Sequence, residues 1–197
     1  ITSWRAVFWL LMALGSGMFI ALWWLPETLP GEKRLTTPLS SAFGNYASLL
    51  QNRAFMRYTL CVSFFYVAAY AFIAGSPFVY ICYFHVDPQH YGWLFGVNII
   101  GVMGLSSINR RLVQHHPLHT LLRVAVLVAA LAMVVLAVCV KIQTGGMVIM
   151  VMTIFIFFSM NGIVAAASTA AALDNVPSNM AGSASALIGS LQYGSGI

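Results

Sequence analysis

Five stretches of this 197-residue chain, at about 6–25, 58–83, 91–108, 121–140 and 147–172, are each long and apolar enough to cross a bilayer. A sixth such stretch begins at Ala181. A hydrocarbon core of about 30 Å needs roughly 20 apolar residues of helix. Only helices and closed barrels satisfy their backbone polar groups in that medium. A barrel strand alternates apolar and polar residues, whereas Val124–Val140 is apolar on every side. The expected fold class is therefore an all-α membrane protein, a polytopic helix bundle of five full transmembrane helices plus a truncated sixth.

Composition agrees with lipid as the solvent. Charged residues make up 7% of the chain and hydrophobic ones 60%, where soluble domains carry roughly 25% charged residues. The net charge of +5 does not signal nucleic acid, because the cations sit between the spans and follow the positive-inside rule. Lys33, Arg34, Arg53, Arg57, Arg110, Arg111 and Arg123 fall on one side, and Arg5 and Lys141 on the other. This asymmetry puts loops 26–57, 109–120 and 173–180 in the cytoplasm.

Loop 26–57 is the long connection. Trp23 and Trp24 suit the headgroup boundary, and Pro26 stops the helix before it. Ser40–Arg53 has the pattern of a surface-lying amphipathic helix with Phe43, Tyr46, Leu49 and Leu50 on one side. The organisation read from this is the last helix of one half-bundle (1–25), a cytoplasmic inter-half loop (26–57) and a second, incomplete transmembrane bundle (58–197). The chain starts without Met and stops within an apolar segment, which reads as an internal piece of a longer polytopic protein.

Polarity ranks the spans. In a bundle, polar side chains avoid lipid and face the interior or a cavity. Spans 6–25 and 121–140 are nearly bare of polar groups and read as peripheral; the other four read as central. Tyr66 and Tyr70 share a helical face with Ser63, Ile73 and Pro77, facing either a substrate or a neighbouring helix. Pro77 can bend its helix. Gly182, Ala186, Ser190 and Gly194, then Gly162, Ala166 and Ala170, and Gly92 with Gly96, form small-residue ridges that let helices approach closely in lipid.

Other chemistry is poorly served. Cys61, Cys82 and Cys139 read as small buried hydrophobes with neither disulfide nor metal spacing. His115, His116 and His119 surround Pro117, and His85, Asp87 and His90 lie at the opposite side; both read as solvated loops rather than metal sites. No H-E-x-x-H, G-x-S-x-G or phosphate loop is present, so no enzyme, metal or cofactor is expected. None of Glu27, Glu32, Asp87 and Asp174 lies deep in a span. A proton-driven carrier needs a buried carboxylate, so any such group is expected outside this chain.

Four segments carry a family resemblance. Trp4–Trp9 with Leu25–Pro30 resembles the sixth helix and following loop of drug–proton antiporters of the major facilitator superfamily. Ala74–Ile81 resembles the seventh helix of the Bcr/CflA branch, the bicyclomycin and chloramphenicol resistance type, and Tyr91–Asn98 its eighth. Ala181–Leu187 with Gln192–Gly196 resembles its eleventh. The resemblance implies helix six to part of helix eleven of a twelve-helix transporter, with spans 58–83 and 147–172 lining the cavity. It also implies a gating motif at Asn109, Arg110 and Arg111, where the usual Gly and Asp are missing; topogenic charge is the alternative role.

The expected function is proton-driven multidrug efflux by alternating access in the bacterial inner membrane, with small amphipathic drugs, protons and the lipid bilayer as partners, no nucleic acid, and a monomeric state. Tyr66, Tyr70, Asn98, Asn161 and Gln192 are the expected substrate-binding wall. A metabolite transporter on the same fold and a non-transporting membrane scaffold or receptor remain as alternatives.

Overall fold

The computed structural model describes residues 5–24 and 40–196. The chain divides into two units, Ile1–Pro38 and Leu39–Ile197. In the first, helix α1 spans Arg5–Leu22. The second holds α2 (Ser40–Gln51), α3 (Arg53–Pro77), a π-helical segment (Phe78–Tyr83), α4 (Pro88–His115), α5 (Leu118–Ile142), α6 (Gly146–Leu173), a 3-10 turn (Ser178–Met180) and α7 (Ala181–Gly194). Five helical stretches, Arg5–Leu22, Arg53–Tyr83, Pro88–His115, Leu118–Ile142 and Gly146–Leu173, are long and apolar enough to cross a membrane. Among the described residues there is no strand. The described residues are all-α, as the apolar runs imply.

Local chemistry sets the helix ends. Asn52 caps α3, its side-chain oxygen accepting from the backbone N–H groups of Ala54 and Phe55, both at 3.1 Å. Such a cap satisfies donors that have no partner inside the helix. The Asn52 amide also donates to the Asn175 carbonyl (3.0 Å), tying the start of α3 to the end of α6. At α4, Asp87 accepts from the Gln89 N–H (2.9 Å) and Pro88 takes the first helical position, where its missing N–H costs nothing. Beyond Pro77 the helix continues with wider hydrogen bonds, as from Phe84 N–H to Val79 O (3.1 Å).

Packing centres on α6, which touches α3, α4, α5 and α7. Phe65 of α3 stacks on Phe157 of α6, ring centroids 4.5 Å apart. Ala125, Ala129 and Ala132 give α5 a smooth buried face, and α5 packs chiefly on α6. Its other face, with Leu127, Leu131, Val134 and Val138, is exposed. In water that surface would aggregate; acyl chains solvate it. Helix α4 meets α6 through two glycines. A Cβ on Gly101 would run into the Ser159 hydroxyl and the Phe155 ring, and one on Gly162 would lie 2.6 Å from Ser106 N and 2.7 Å from Val102 O. These close approaches supply the van der Waals contact that holds helices together in lipid.

Several expectations are corrected. Asn109, Arg110 and Arg111 are not in a loop: α4 runs on to His115 and the connection shrinks to His116 and Pro117. Nothing breaks the helix before Pro117, which drives His116 to an extended backbone (φ −131°, ψ 143°) by its clash with the preceding residue. Helix α3 likewise starts at Arg53 rather than 58, where Asn52 caps it. On α2, Leu49 is buried and Tyr46 packs beside it, against residues of α3 and α7, while Phe43 and Leu50, on the same arc of about 120° of the helix, are exposed. Of the small-residue ridges, only Gly162 makes the close contact. Gly182, Ala186, Ser190 and Gly194 are exposed, as are Ala166 and Ala170, and Gly92 and Gly96 have no neighbour where a Cβ would sit. The buried stripe of α7 is Ala184, Ile188 and Gln192.

Fewer residues of the α4 span are buried within this chain than of the bland α5, 11% against 22%. Ser63, Ser107, Thr153 and Ser159 each donate to a carbonyl one turn back on their own helix, at 2.7–2.9 Å. A Ser or Thr satisfied this way has no need of an aqueous interior.

Candidate functional site

Helix α3 divides its aromatic residues between two neighbours. Phe65 and Phe72 turn to α6, meeting Phe157 at 4.5 Å and Phe158 at 5.2 Å. Tyr66 and Tyr70, one helical turn apart, lie with ring centroids 5.9 Å apart, and Tyr66 meets Tyr193 of α7 at 6.0 Å, edge to face. Gly196 brings its backbone onto the Tyr70 ring, where a Cβ would come within 2.6 Å. Tyr66 and Tyr70 are half-buried and Tyr193 is exposed, so the cluster presents ring surface outward. Aromatic pairs in this geometry contribute about 0.5–1.5 kcal/mol beyond area burial.

Tyr193 is absent from the residues expected on sequence grounds. Its signal was there: it is the one bulky side chain in the run Gln192–Gly196, otherwise Gln, Gly and Ser. The neighbouring Gln192 points the other way, buried on the stripe with Ala184 and Ile188.

The two asparagines lie on α4 and α6 rather than on α3 or α7. Asn98 is buried on α4, its amide donating to the Leu94 carbonyl at 3.3 Å. Asn161 sits on α6, one turn after Phe157 and beside the glycine that receives α4. Its side-chain oxygen is buried without a hydrogen-bond partner among the described residues, as are those of Thr59 and Asn109. A buried acceptor left unpaired costs about 1–3 kcal/mol, so Asn161 is a polar group in want of a donor. Tyr66, Tyr70 and Tyr193 come together; Asn98, Asn161 and Gln192 do not join them in one pocket.

A second polar contact joins α3 to α4. The hydroxyls of Ser76 and Tyr91 lie 2.7 Å apart, Ser76 also donating to Ile73 O (3.2 Å). Tyr80 of the π-helical segment packs on Tyr91 at 6.0 Å. At the opposite end, Asn109 is buried while Arg110 and Arg111 are exposed on the last turns of α4. Among the described residues no group of three or more His, Cys, Asp or Glu side chains is placed to hold a metal.

Cavities open between the described helices of the second unit. One of about 430 Å³ lies between the π-helical segment and the α5–α6 turn, beside Tyr83, Cys139 and Gln143. One of about 380 Å³ lies on the far side of the α3–α7 seam, beside Ser63 and Ser190. Another, of about 590 Å³, lies between the starts of α3 and α5. The three tyrosines line none of them.

Comparison with known proteins places this geometry. The chain is 36% identical over 191 residues to an uncharacterized MFS-type transporter, YdgK, of Bacillus subtilis, covering 96% of this chain and 47% of that protein. It is 27% identical over 194 residues to a bicyclomycin resistance protein homolog of Haemophilus influenzae, covering 98% and 48%. It is 32% identical over 116 residues to the multidrug transporter MdfA of Yersinia pestis, covering 55% and 28%. The chain thus spans about half the length of the first two relatives. The model of the Major Facilitator Superfamily matches residues 1–197. The chain belongs to the Major Facilitator Superfamily.

Proposed function

We propose that this chain forms part of a drug–proton antiporter that expels amphipathic compounds across a bacterial inner membrane by alternating access. The observation that carries the reading is the uncharged aromatic face built by Tyr66, Tyr70 and Tyr193 on α3 and α7. Sites for such ligands are mostly apolar and aromatic with few polar groups. Ring faces accept flat apolar molecules of varied shape, and the absence of a fixed charge beside them removes a requirement for one ligand charge. Two relatives named for bicyclomycin resistance and for multidrug transport support the same reading.

In this proposal Tyr66, Tyr70 and Tyr193 stack on substrate. Asn98, Gln192 and the buried oxygen of Asn161 act behind that face, in the packing that supports it, without touching substrate. The proton site lies outside residues 1–197, since none of the chain's acids falls deep in a described span. The end bearing Arg57, Arg110, Arg111 and Arg123 faces the cytoplasm, the segment before α3, expected at 26–57 and ending at Asn52 in the structure, links two half-bundles, and the transporter works as a monomer. Asn109, Arg110 and Arg111 act at the cytoplasmic gate as the last turns of a helix rather than as a loop.

The test uses the full-length transporter in cells lacking their main efflux pumps. Expression should lower steady-state accumulation of a fluorescent lipophilic cation, and an uncoupler should abolish the difference. Equal accumulation with and without the protein, across a panel of amphipathic dyes, would refute drug efflux.

A further inference from the structure

The cavity of about 590 Å³ between the starts of α3 and α5 has a chemistry that substrate transport does not use. Arg57 from α3 and Arg123 from α5 stand on its walls, both exposed. Cys61 lies one turn beyond Arg57, and Val126 and Leu127 lie one turn beyond Arg123. Among the described residues its other polar lining is Tyr58 and Asn175, and no carboxylate is on the wall. Asp174, next in the chain to Asn175, is exposed and does not line the groove.

The order of these residues along the helix axes matters. Each helix presents a guanidinium first and an apolar residue one turn later, about 6 Å deeper at 1.5 Å per residue. Side chains on a helix lean toward its N-terminus, so both arginines reach away from the bundle's middle. The span Arg53–Tyr83 has 31 residues, about 46 Å of helix against a hydrocarbon core of about 30 Å. A span centred in the bilayer leaves about 8 Å of helix beyond the core at each end, and Arg57, about 6 Å from the start, falls within that margin while Cys61 falls beyond it. Guanidinium groups bind phosphate oxygens through paired, charge-assisted hydrogen bonds.

We infer that this groove binds one anionic phospholipid, its phosphate held by Arg57 and Arg123 and one acyl chain laid along Cys61, Val126 and Leu127. The match is in sign and in depth: positive charge at the interface, apolar wall beneath it, and no acid to compete. Basic pockets between membrane helices hold anionic headgroups in this way. The inference does not depend on what the protein transports.

Native mass spectrometry of the delipidated full-length protein, titrated with phosphatidylglycerol or phosphatidylcholine, tests it. Wild type should bind a first phosphatidylglycerol at least 10-fold more tightly than phosphatidylcholine. R57Q/R123Q should lose that preference. R110Q/R111Q, which removes the same charge from the neighbouring helix end, should keep it, and R57K/R123K should restore part of it. Inorganic phosphate in excess should not displace the lipid, because the groove holds the chain as well as the phosphate. Retention of the preference in R57Q/R123Q, its equal loss in R110Q/R111Q, or displacement by phosphate alone would each overturn the assignment.

Discussion

Substituting Gly162 by alanine should separate α4 from α6. A Cβ there would stand 2.6 Å from Ser106 N and 2.7 Å from Val102 O, both backbone atoms that cannot rotate away. Ordinary contact begins near 3.4 Å, so the helices must part by about 0.7–0.8 Å. A gap of that size forfeits a quarter to a half of each dispersion well of about 0.1–0.2 kcal/mol. Over roughly 40 atom pairs, the number a single buried leucine makes, the loss is about 1–4 kcal/mol. Alanine returns about 0.8–1 kcal/mol of helix propensity, leaving a net cost of about 0–3 kcal/mol. Gly104, on α4 with open space around it, is the control: G104A should gain up to about 1 kcal/mol. Equilibrium unfolding of the full-length protein in mixed micelles reads both. If G162A and G104A shift stability in the same direction by similar amounts, the close crossing of α4 and α6 is wrong.

Three further outcomes follow from named contacts. Y66A and Y193A should each weaken transport of aromatic substrates about 5-fold, the equivalent of about 1 kcal/mol of ring contact, while Y66F and Y193F should transport nearly as wild type; dose–response growth assays with several amphipathic drugs would read this. N52A should destabilise the protein by about 1–2 kcal/mol through loss of the α3 cap and of its bond to Asn175, seen as a lower thermal midpoint. S76A should remove the partner of the Tyr91 hydroxyl, cost about 1 kcal/mol, and speed hydrogen exchange in Phe78–Tyr83 without changing exchange at the start of α5.

The spans and many of their limits were legible because lipid imposes length and apolarity, and because Asp87–Pro88 and Pro117 are strong local punctuation. Arg110 and Arg111 misled for a physical reason: charge was read as a loop signal, yet a helix can carry arginines past the membrane surface until a proline stops it. The small-residue ridges showed that a face was smooth, not which helix it met. Gly162 differs from Gly182 only in its surroundings, which spacing does not encode. The hydroxyls of Ser63 and Thr153 suggested an aqueous interior, but bonds to their own helices satisfy them. Tyr66 and Tyr70 were readable as a shared face, whereas Tyr193 required knowing that α7 lies along α3.

The central claim is that the tyrosine face of α3 and α7 borders the substrate path while the outer face of α5 meets lipid. In a background with Cys61, Cys82 and Cys139 replaced, single cysteines at Tyr70, Tyr193 and Leu131 can be reacted with a membrane-impermeant maleimide in membranes. Positions 70 and 193 should label, substrate should slow their labelling, and position 131 should stay unreactive. Rapid labelling at 131 with none at 70 and 193 would contradict the account.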